Sequence, residues 1–254
     1  MSSEYNNAPY KNIPDELKDK YTMNDKIPIK NMYLDNKSSD IVEWTNELIA
    51  DYMKNYQPWK IKRNLVRGVP YGKKNNKKHL ISFLNAINKY NIINKNIAVV
   101  GSSLPWIESI FLHYDNNVTT VEYLVPKCNH PKLKCINYFS DFKTTSNLYD
   151  CIITYSSIEH SGLGRYGDPL DPDGDIKTMT DIHKNLKNDG ILIWGAPVGK
   201  DTLVWNAHRI YGSIRLPLLF KNFEELEWDY DKETIINSLN DKATIQPVII
   251  LKKM

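Results

Sequence analysis

Apolar positions recur in two rhythms along this chain, and the rhythm changes near residue 91. Upstream the spacing is helical. In "SSDIVEWTNELIADYMKN", Ile41, Trp44, Leu48 and Tyr52 fall on one face, and Ser39 or Asp40 stands where an N-cap would. A second amphipathic stretch, "KHLISFLNAINKYN", predicts another helix. Residues 1–36 are polar with scattered prolines and read as a segment that wraps over the domain or stays loose.

From residue 91 onward, short apolar runs alternate with helix-like stretches. The runs "NIAVVG", "VTTVEYLV", "KCINYFS", "YDCIITYS" and "ILIWGAPV" predict buried strands. "PWIESIFLHYD" and "IKTMTDIHKNLKNDG" predict helices, the second closing on lysines with Gly190 as its left-handed terminator. "KETIINSLN" is helix-like, and "ATIQPVIILKK" is a last strand placed to pair antiparallel after a long excursion. Strands alternating with helices argue for a doubly wound α/β sheet, mostly parallel, over residues 91–254, with a partly helical N-terminal extension over 1–90.

Composition adds limits. The 254 residues are 41% hydrophobic with a net charge of +3, so overall charge implies no polyanionic or polycationic partner. Three cysteines (Cys128, Cys135, Cys151) fit reduced thiols better than a disulfide framework or zinc site. The N-terminus has no apolar targeting segment, and no apolar run approaches a membrane span, so a soluble cytoplasmic protein is expected. Between Asp51 and Glu108 there is no acid, while Lys60, Lys62, Arg63, Arg67, Lys73, Lys74, Lys77 and Lys78 cluster. Such a patch suits a phosphate-bearing sugar nucleotide, RNA or solvent alike; with no RNA-binding aromatic motif, nucleic acid is the weaker partner.

The chemistry gathers at the ends of the predicted strands. Gly101 directly follows the first, where a glycine permits a sharp turn and aims the next helix N-terminus at a ligand; Ser102 follows it. Glu122 ends the second strand, where an acid can accept ribose hydroxyls or simply face solvent. Asp141, after the third, meets an adenine or caps its own turn. Ser156, Ser157, Glu159 and His160 follow the fourth.

This order, Gly101, Glu122, Asp141, "YDCIITYSSIEH" and "LKNDGILIWGAP", resembles class I S-adenosylmethionine-dependent methyltransferases over roughly residues 95–200. The resemblance implies a Rossmann-like seven-stranded sheet and S-adenosylmethionine as cofactor. It also implies that Gly101, Ser102, Glu122, Asp141, Ser156 and Ser157 bind that cofactor. More narrowly, "EHSGLGRYGDPLDPDGD" and "NAHRIYGSIRLPLLF" resemble a methyltransferase-like family of bacterial surface-polysaccharide loci. "VVGSSLPW" departs from the superfamily by lacking its glycine-rich turn.

The stretch "SSIEHSGLGRYGDPLDPDGD" is twenty residues where strand-to-helix connections usually take about two to six. It reads as the acceptor-side wall. His160 is the candidate base, because methyl transfer to a hydroxyl needs a proton acceptor in reach. His208 is the reserve. Glu159, Arg165, Tyr166 and Asp168, with Asn206, Arg209 and Tyr211 of "WNAHRIYG", are candidate substrate contacts; the latter segment is otherwise a helix start with Trp205 packed inside. The aspartates of "DPLDPDGD" fail the EF-hand template, whose glycine stands sixth. No metal ligands are assigned, a divalent cation is not favoured, and helix capping by Asp173 or Asp175 is the simpler reading.

The expected function is O-methylation of a sugar, nucleotide-activated or within a surface glycan, by a chain that could self-associate. A metal-dependent sugar-nucleotide enzyme on the same fold, or a non-catalytic partner of a glycan-assembly enzyme, are the alternatives.

Overall fold

The computed structural model describes residues 9–37, 40–68, 77–240 and 242–254. Strands β1 (Ile29–Met32), β2 (Glu43–Trp44), β3 (Asn96–Val100), β4 (Asn117–Glu122), β5 (Lys127–Cys128) and β6 (Leu133–Asn137) come before the long loop's own strand, β7 (Tyr149–Tyr155). They are followed by β8 (Leu186–Gly195), β9 (Thr202–Asn206), β10 (His208–Ile210), β11 (Phe223–Trp228) and β12 (Ile249–Lys253). The helices are α1 (Asp15–Thr22), α2 (Asn46–Asn55), α3 (Pro58–Lys62), α4 (Lys78–Lys89), α5 (Trp106–Leu112), α6 (Gly174–Asn185), α7 (Leu216–Leu219) and α8 (Lys232–Ile236).

Seven strands form the central sheet in the order β11-β12-β8-β7-β3-β4-β6. From β8 through β6 every pairing is parallel, and β12 runs antiparallel to both β8 and β11. Alternation along β3 shows how the sequence covers both faces. Ile97 and Val99 enter one core, with Phe83 of α4 and Ile107 and Ile110 of α5. Ala98 and Val100 enter the other, with Met179 and Ile182 of α6. The first core also takes Trp44, Ile49, Tyr56 and Ile61, so the N-terminal elements are packed on the sheet.

Three local expectations give way. The first amphipathic helix starts at Asn46, because Thr45 is its N-cap and accepts from Leu48 N at 3.2 Å. Trp44 then belongs to β2, which pairs with β5, and Ile41 is exposed; Ser39 lies outside the described residues. Helix α6 stops at Asn185, and "LKNDG" already belongs to β8, where Asp189 (φ 59°), not Gly190, is left-handed. "WNAHRIYG" forms no helix: β9 and β10 pair antiparallel, and β1 adds in parallel to β9. The N-terminal segment thus completes a three-stranded sheet beside the long loop.

The thiols of Cys128, Cys135 and Cys151 are free. In the basic segment, Lys60 Nζ donates to the Lys54 carbonyl at 2.5 Å, Lys77 Nζ to that of Val66 at 2.5 Å, and Lys78 Nζ to that of Asp229. Lys73 and Lys74 lie outside the described residues. Among the described residues, no helix is long and apolar enough to cross a membrane.

Candidate active site

The turn after β3 is built around Gly101, in left-handed backbone at φ +80°. A Cβ there would lie 1.7 Å from Ser157 Oγ and 2.4 Å from Ser157 Cβ, so the glycine lets the β3 and β7 turns touch. Ser102, next in the chain, donates its N–H to Glu122 Oε1. Its Oγ lies 2.9 Å from the Leu104 carbonyl oxygen and 3.1 Å from Oε2 of the fully buried Glu108. Thr120 Oγ1 is 2.8 Å from the other Glu108 oxygen.

Glu122 ends β4 and also accepts from Tyr123 N at 3.3 Å. Burial pushes its carboxyl up to about 7, against the pull of the two backbone N–H groups. Each carboxylate oxygen has two lone pairs, so both keep accepting capacity. Asp141 is exposed and accepts from Asn137 N at 2.9 Å, which ties the turn after β6.

At the end of β7 the chain turns through Ser156, a non-glycine residue at φ 54°, whose N–H reaches the Gly195 carbonyl at 2.8 Å. Ser156 Oγ donates to Glu159 Oε1 at 3.1 Å. Glu159 is buried, its other oxygen has no partner among the described residues, and burial raises its carboxyl to about 7. His160 Nδ1 is 2.6 Å from the Ala207 carbonyl oxygen, which can only accept, and 3.3 Å from Arg165 Nη1, which can only donate; the shorter contact puts the proton on Nδ1 and the lone pair on Nε2. Burial, then the charge of Arg165, hold this imidazole at about 3, so it is neutral. Its Nε2 is 3.6 Å from Glu159 Oε1. The His208 ring is 6.4 Å from that of His160; burial lowers it to about 4, and its Nε2 has no partner among the described residues.

The long loop is ordered by its own acids. Asp168 accepts from the N–H groups of Gly162 (2.7 Å), Gly164 (3.3 Å) and Tyr166 (3.3 Å). Asp171 pairs with Lys177 at 2.6 Å. Asp175, fully buried, accepts from Arg215 at 2.5 and 2.7 Å and from Tyr211 Oη at 3.1 Å; Arg209 Nε is 3.6 Å away. Asp173 is the N-cap of α6 by position but makes no side-chain capping bond. Among the described residues, no group of three or more His, Cys, Asp or Glu is placed to hold a metal ion.

A cavity of about 250 Å³ opens at the carboxyl ends of β3, β4 and β7. Gly101, Ser102, Glu122, Ser156 and Ser157 line it, together with His160, Tyr166 and Asp168. Asp141, Glu159, Arg165 and His208 are not among the residues that line it. Arg165 donates to Asn36 Oδ1 at 2.9 Å and to the Ala207 carbonyl at 3.0 Å. Asn206, Arg209 and Tyr211 are spent on architecture. Asn206 exchanges bonds with the Leu34 backbone at 2.8 and 2.9 Å, Arg209 donates to the Ser161 carbonyl at 2.7 Å, and Tyr211 holds Asp175. None of the three is free to grip an anion or a sugar. Sequence reasoning missed Asn36, Asp40 and Val42 of the N-terminal segment, and Tyr123, Leu124 and Tyr138, all of which line the cavity. The segment "YLDNK" gave no local sign of this, because only pairing of β1 with β9 carries it to the mouth.

Strand order, one reversed strand and a cleft beside an acid at the end of the second parallel strand define the fold of class I S-adenosylmethionine-dependent methyltransferases. Residues 94–253 match the family described as "Caenorhabditis protein of unknown function, DUF268", and the chain belongs to that family. Among solved structures it is similar to 1,6-didemethyltoxoflavin-N1-methyltransferase of Burkholderia thailandensis, which was crystallised with 1,6-didemethyltoxoflavin and S-adenosylhomocysteine. The two are 13% identical, 88% of this chain and 98% of that one are covered, and the TM-score is 0.52. A second similar structure is the N-methyltransferase NodS of Bradyrhizobium japonicum WM9 with S-adenosylhomocysteine. It is 12% identical, with 82% of this chain and 97% of that one covered and a TM-score of 0.48. No curated protein matches the sequence.

Proposed function

We propose that this protein is an S-adenosylmethionine-dependent methyltransferase and that it methylates a hydroxyl of a sugar, nucleotide-activated or within a surface glycan. The observation that carries the reading is that Glu122 and His160 line one and the same cavity. The residues present suit the cofactor. Glu122 keeps lone pairs for ribose hydroxyls, Tyr123, Leu124 and Tyr138 offer apolar surface, and Gly101 keeps the turn free of side chain. S-adenosylmethionine supplies an electrophilic methyl on its sulfonium when bound.

His160 is the proton acceptor in this reading. Its Nδ1–H is anchored on Ala207, which leaves Nε2 as a lone-pair donor. An imidazole held near 3 is a weak base for a free hydroxyl. The hydroxyl becomes strongly acidic only as its oxygen bonds to carbon, so such a base accepts the proton late in the transfer. Asn36, Asp40 and Tyr166 at the mouth suit a hydroxyl-rich acceptor. Alignment of the acceptor supplies most of the remaining acceleration. The surface-glycan context rests on the resemblance of "EHSGLGRYGDPLDPDGD" and "NAHRIYGSIRLPLLF".

The test is titration calorimetry with S-adenosylhomocysteine and an adenine-nucleotide control. Micromolar binding that is lost in Glu122→Ala supports the reading, and a sugar-nucleotide screen follows. No binding at millimolar ligand defeats it.

A further inference from the structure

The turn after β3 lacks the glycine-rich sequence expected of this fold, yet it packs tightly, and Glu108 shows how. This residue, in the first turn of α5, is fully buried. It approaches two hydroxyls: Thr120 Oγ1 at 2.8 Å and Ser102 Oγ at 3.1 Å.

Counting donors assigns the proton. A serine hydroxyl has one hydrogen, and the Leu104 carbonyl, 2.9 Å from Ser102 Oγ, can only accept. Of its two oxygen neighbours the Leu104 carbonyl is the nearer, so we assign the Ser102 hydrogen to Leu104. The 3.1 Å contact with Glu108 then needs a hydrogen from Glu108. Glu122 is in the opposite position, because both of its partners, Ser102 N and Tyr123 N, are backbone donors that cannot reverse. Of the two carboxyls that Ser102 connects, Glu122 is thus held as an acceptor and Glu108 is free to carry the proton.

We propose that Glu108 is a neutral carboxylic acid that donates to Ser102 and thereby braces the turn presenting Glu122 to the cofactor; it is a positioning residue that stands in for the missing glycines. The role as a brace rests on the cofactor reading above; the protonation state does not. Burial agrees with it, raising the Glu108 carboxyl to about 7. The titratable groups coupled to it are Glu122 on β4, Cys128 on β5 and Cys135 on β6, all acids, and a second negative charge among them would be resisted.

The experiment compares wild type, Glu108→Gln and Glu108→Ala in two measurements. Glutamine imitates the protonated acid, with an amide N–H for Ser102 and an oxygen for Thr120. For S-adenosylhomocysteine, Glu108→Gln should bind within about threefold of wild type, while Glu108→Ala, which leaves Ser102 and Thr120 unpaired, should bind about tenfold or more weakly. The second measurement is urea stability between pH 4.5 and 7. The unfolded glutamate ionises near 4.5 and the folded one near 7, so the contribution of Glu108 to wild-type stability falls over that window as pH rises. Glu108→Gln has no such loss, and its advantage over wild type should grow with pH. A difference that is flat or shrinks shows a charged Glu108 and overturns the proposal. Equal affinity in wild type and Glu108→Ala overturns the bracing role. Wild type that fails to bind S-adenosylhomocysteine defeats the cofactor reading and the brace with it, while the stability profile still decides where the proton is.

Discussion

Gly101 and Ser157 touch across the floor of the cleft: no Cβ fits on the first without entering the side chain of the second. The contact joins the turns after β3 and β7, strands that are neighbours in the sheet but far apart in sequence. Gly101→Ala adds a left-handed alanine and an overpacked contact, which together should cost about 2 kcal/mol or more. Urea unfolding measures it. Ser157→Gly in the same chain should recover the packing part but not the backbone part; a double variant no better than the single one would mean the clash is absent.

His160 offers a sharper separation. His160→Ala should leave S-adenosylhomocysteine affinity nearly unchanged and cut turnover by about 10² or more, once an acceptor is known. Unchanged turnover would remove it as the base. His208→Ala is the informative partner, since its Nε2 is buried without a partner among the described residues.

If Glu122 holds the ribose as proposed, cofactor affinity should depend on pH. Its carboxyl titrates near 7, and the ionised form is the better acceptor for ribose hydroxyls. Affinity for S-adenosylhomocysteine should therefore hold above about pH 7 and fall below it, by up to about tenfold per unit. Calorimetry between pH 8 and 5.5 reads this directly, and Glu122→Gln should flatten the profile.

His79 is buried, stacked on Tyr155 with ring centroids 5.2 Å apart, and its Nε2 has no partner among the described residues. Burial lowers it from 6.5 to about 4. The unfolded chain takes up this proton below 6.5 and the folded chain only below about 4, so stability is lost as pH falls between them. His79→Phe should remove that loss and gain on wild type by up to about 1.4 kcal/mol per pH unit in this window. A thermal-unfolding difference independent of pH would show that His79 titrates alike in the folded and unfolded chains.

Asp175 is the anchor of the long loop. Asp175→Ala takes from Arg215 and Arg209 the buried carboxylate they share, a change worth about 3–5 kcal/mol. Unfolding in urea should show it, and limited proteolysis should cut the loop between Ser156 and Asp173.

Much of this molecule was legible because its signals are local. The alternation of Ile97 and Val99 with Ala98 and Val100 announces a strand buried on both faces, and strand-helix repetition announces the sheet. The glycine after β3 and the acid ending β4 lie at strand ends, so knowing the strands also places Gly101 and Glu122. What local sequence cannot carry is pairing across long separations. Arg209 looked like an anion grip, and Asp175 like a cap, until folding set both beside Arg215 and Tyr211. Asn36 had no chemistry of its own until β1 paired with β9 and carried it to the mouth. The proton on Glu108 is decided by the Leu104 carbonyl near Ser102, through hydroxyl geometry that residue types do not encode. Periodicity thus specified the elements and their faces, whereas desolvation and donor counting, which exist only in the packed chain, decided which polar residues are structure and which are left for a ligand.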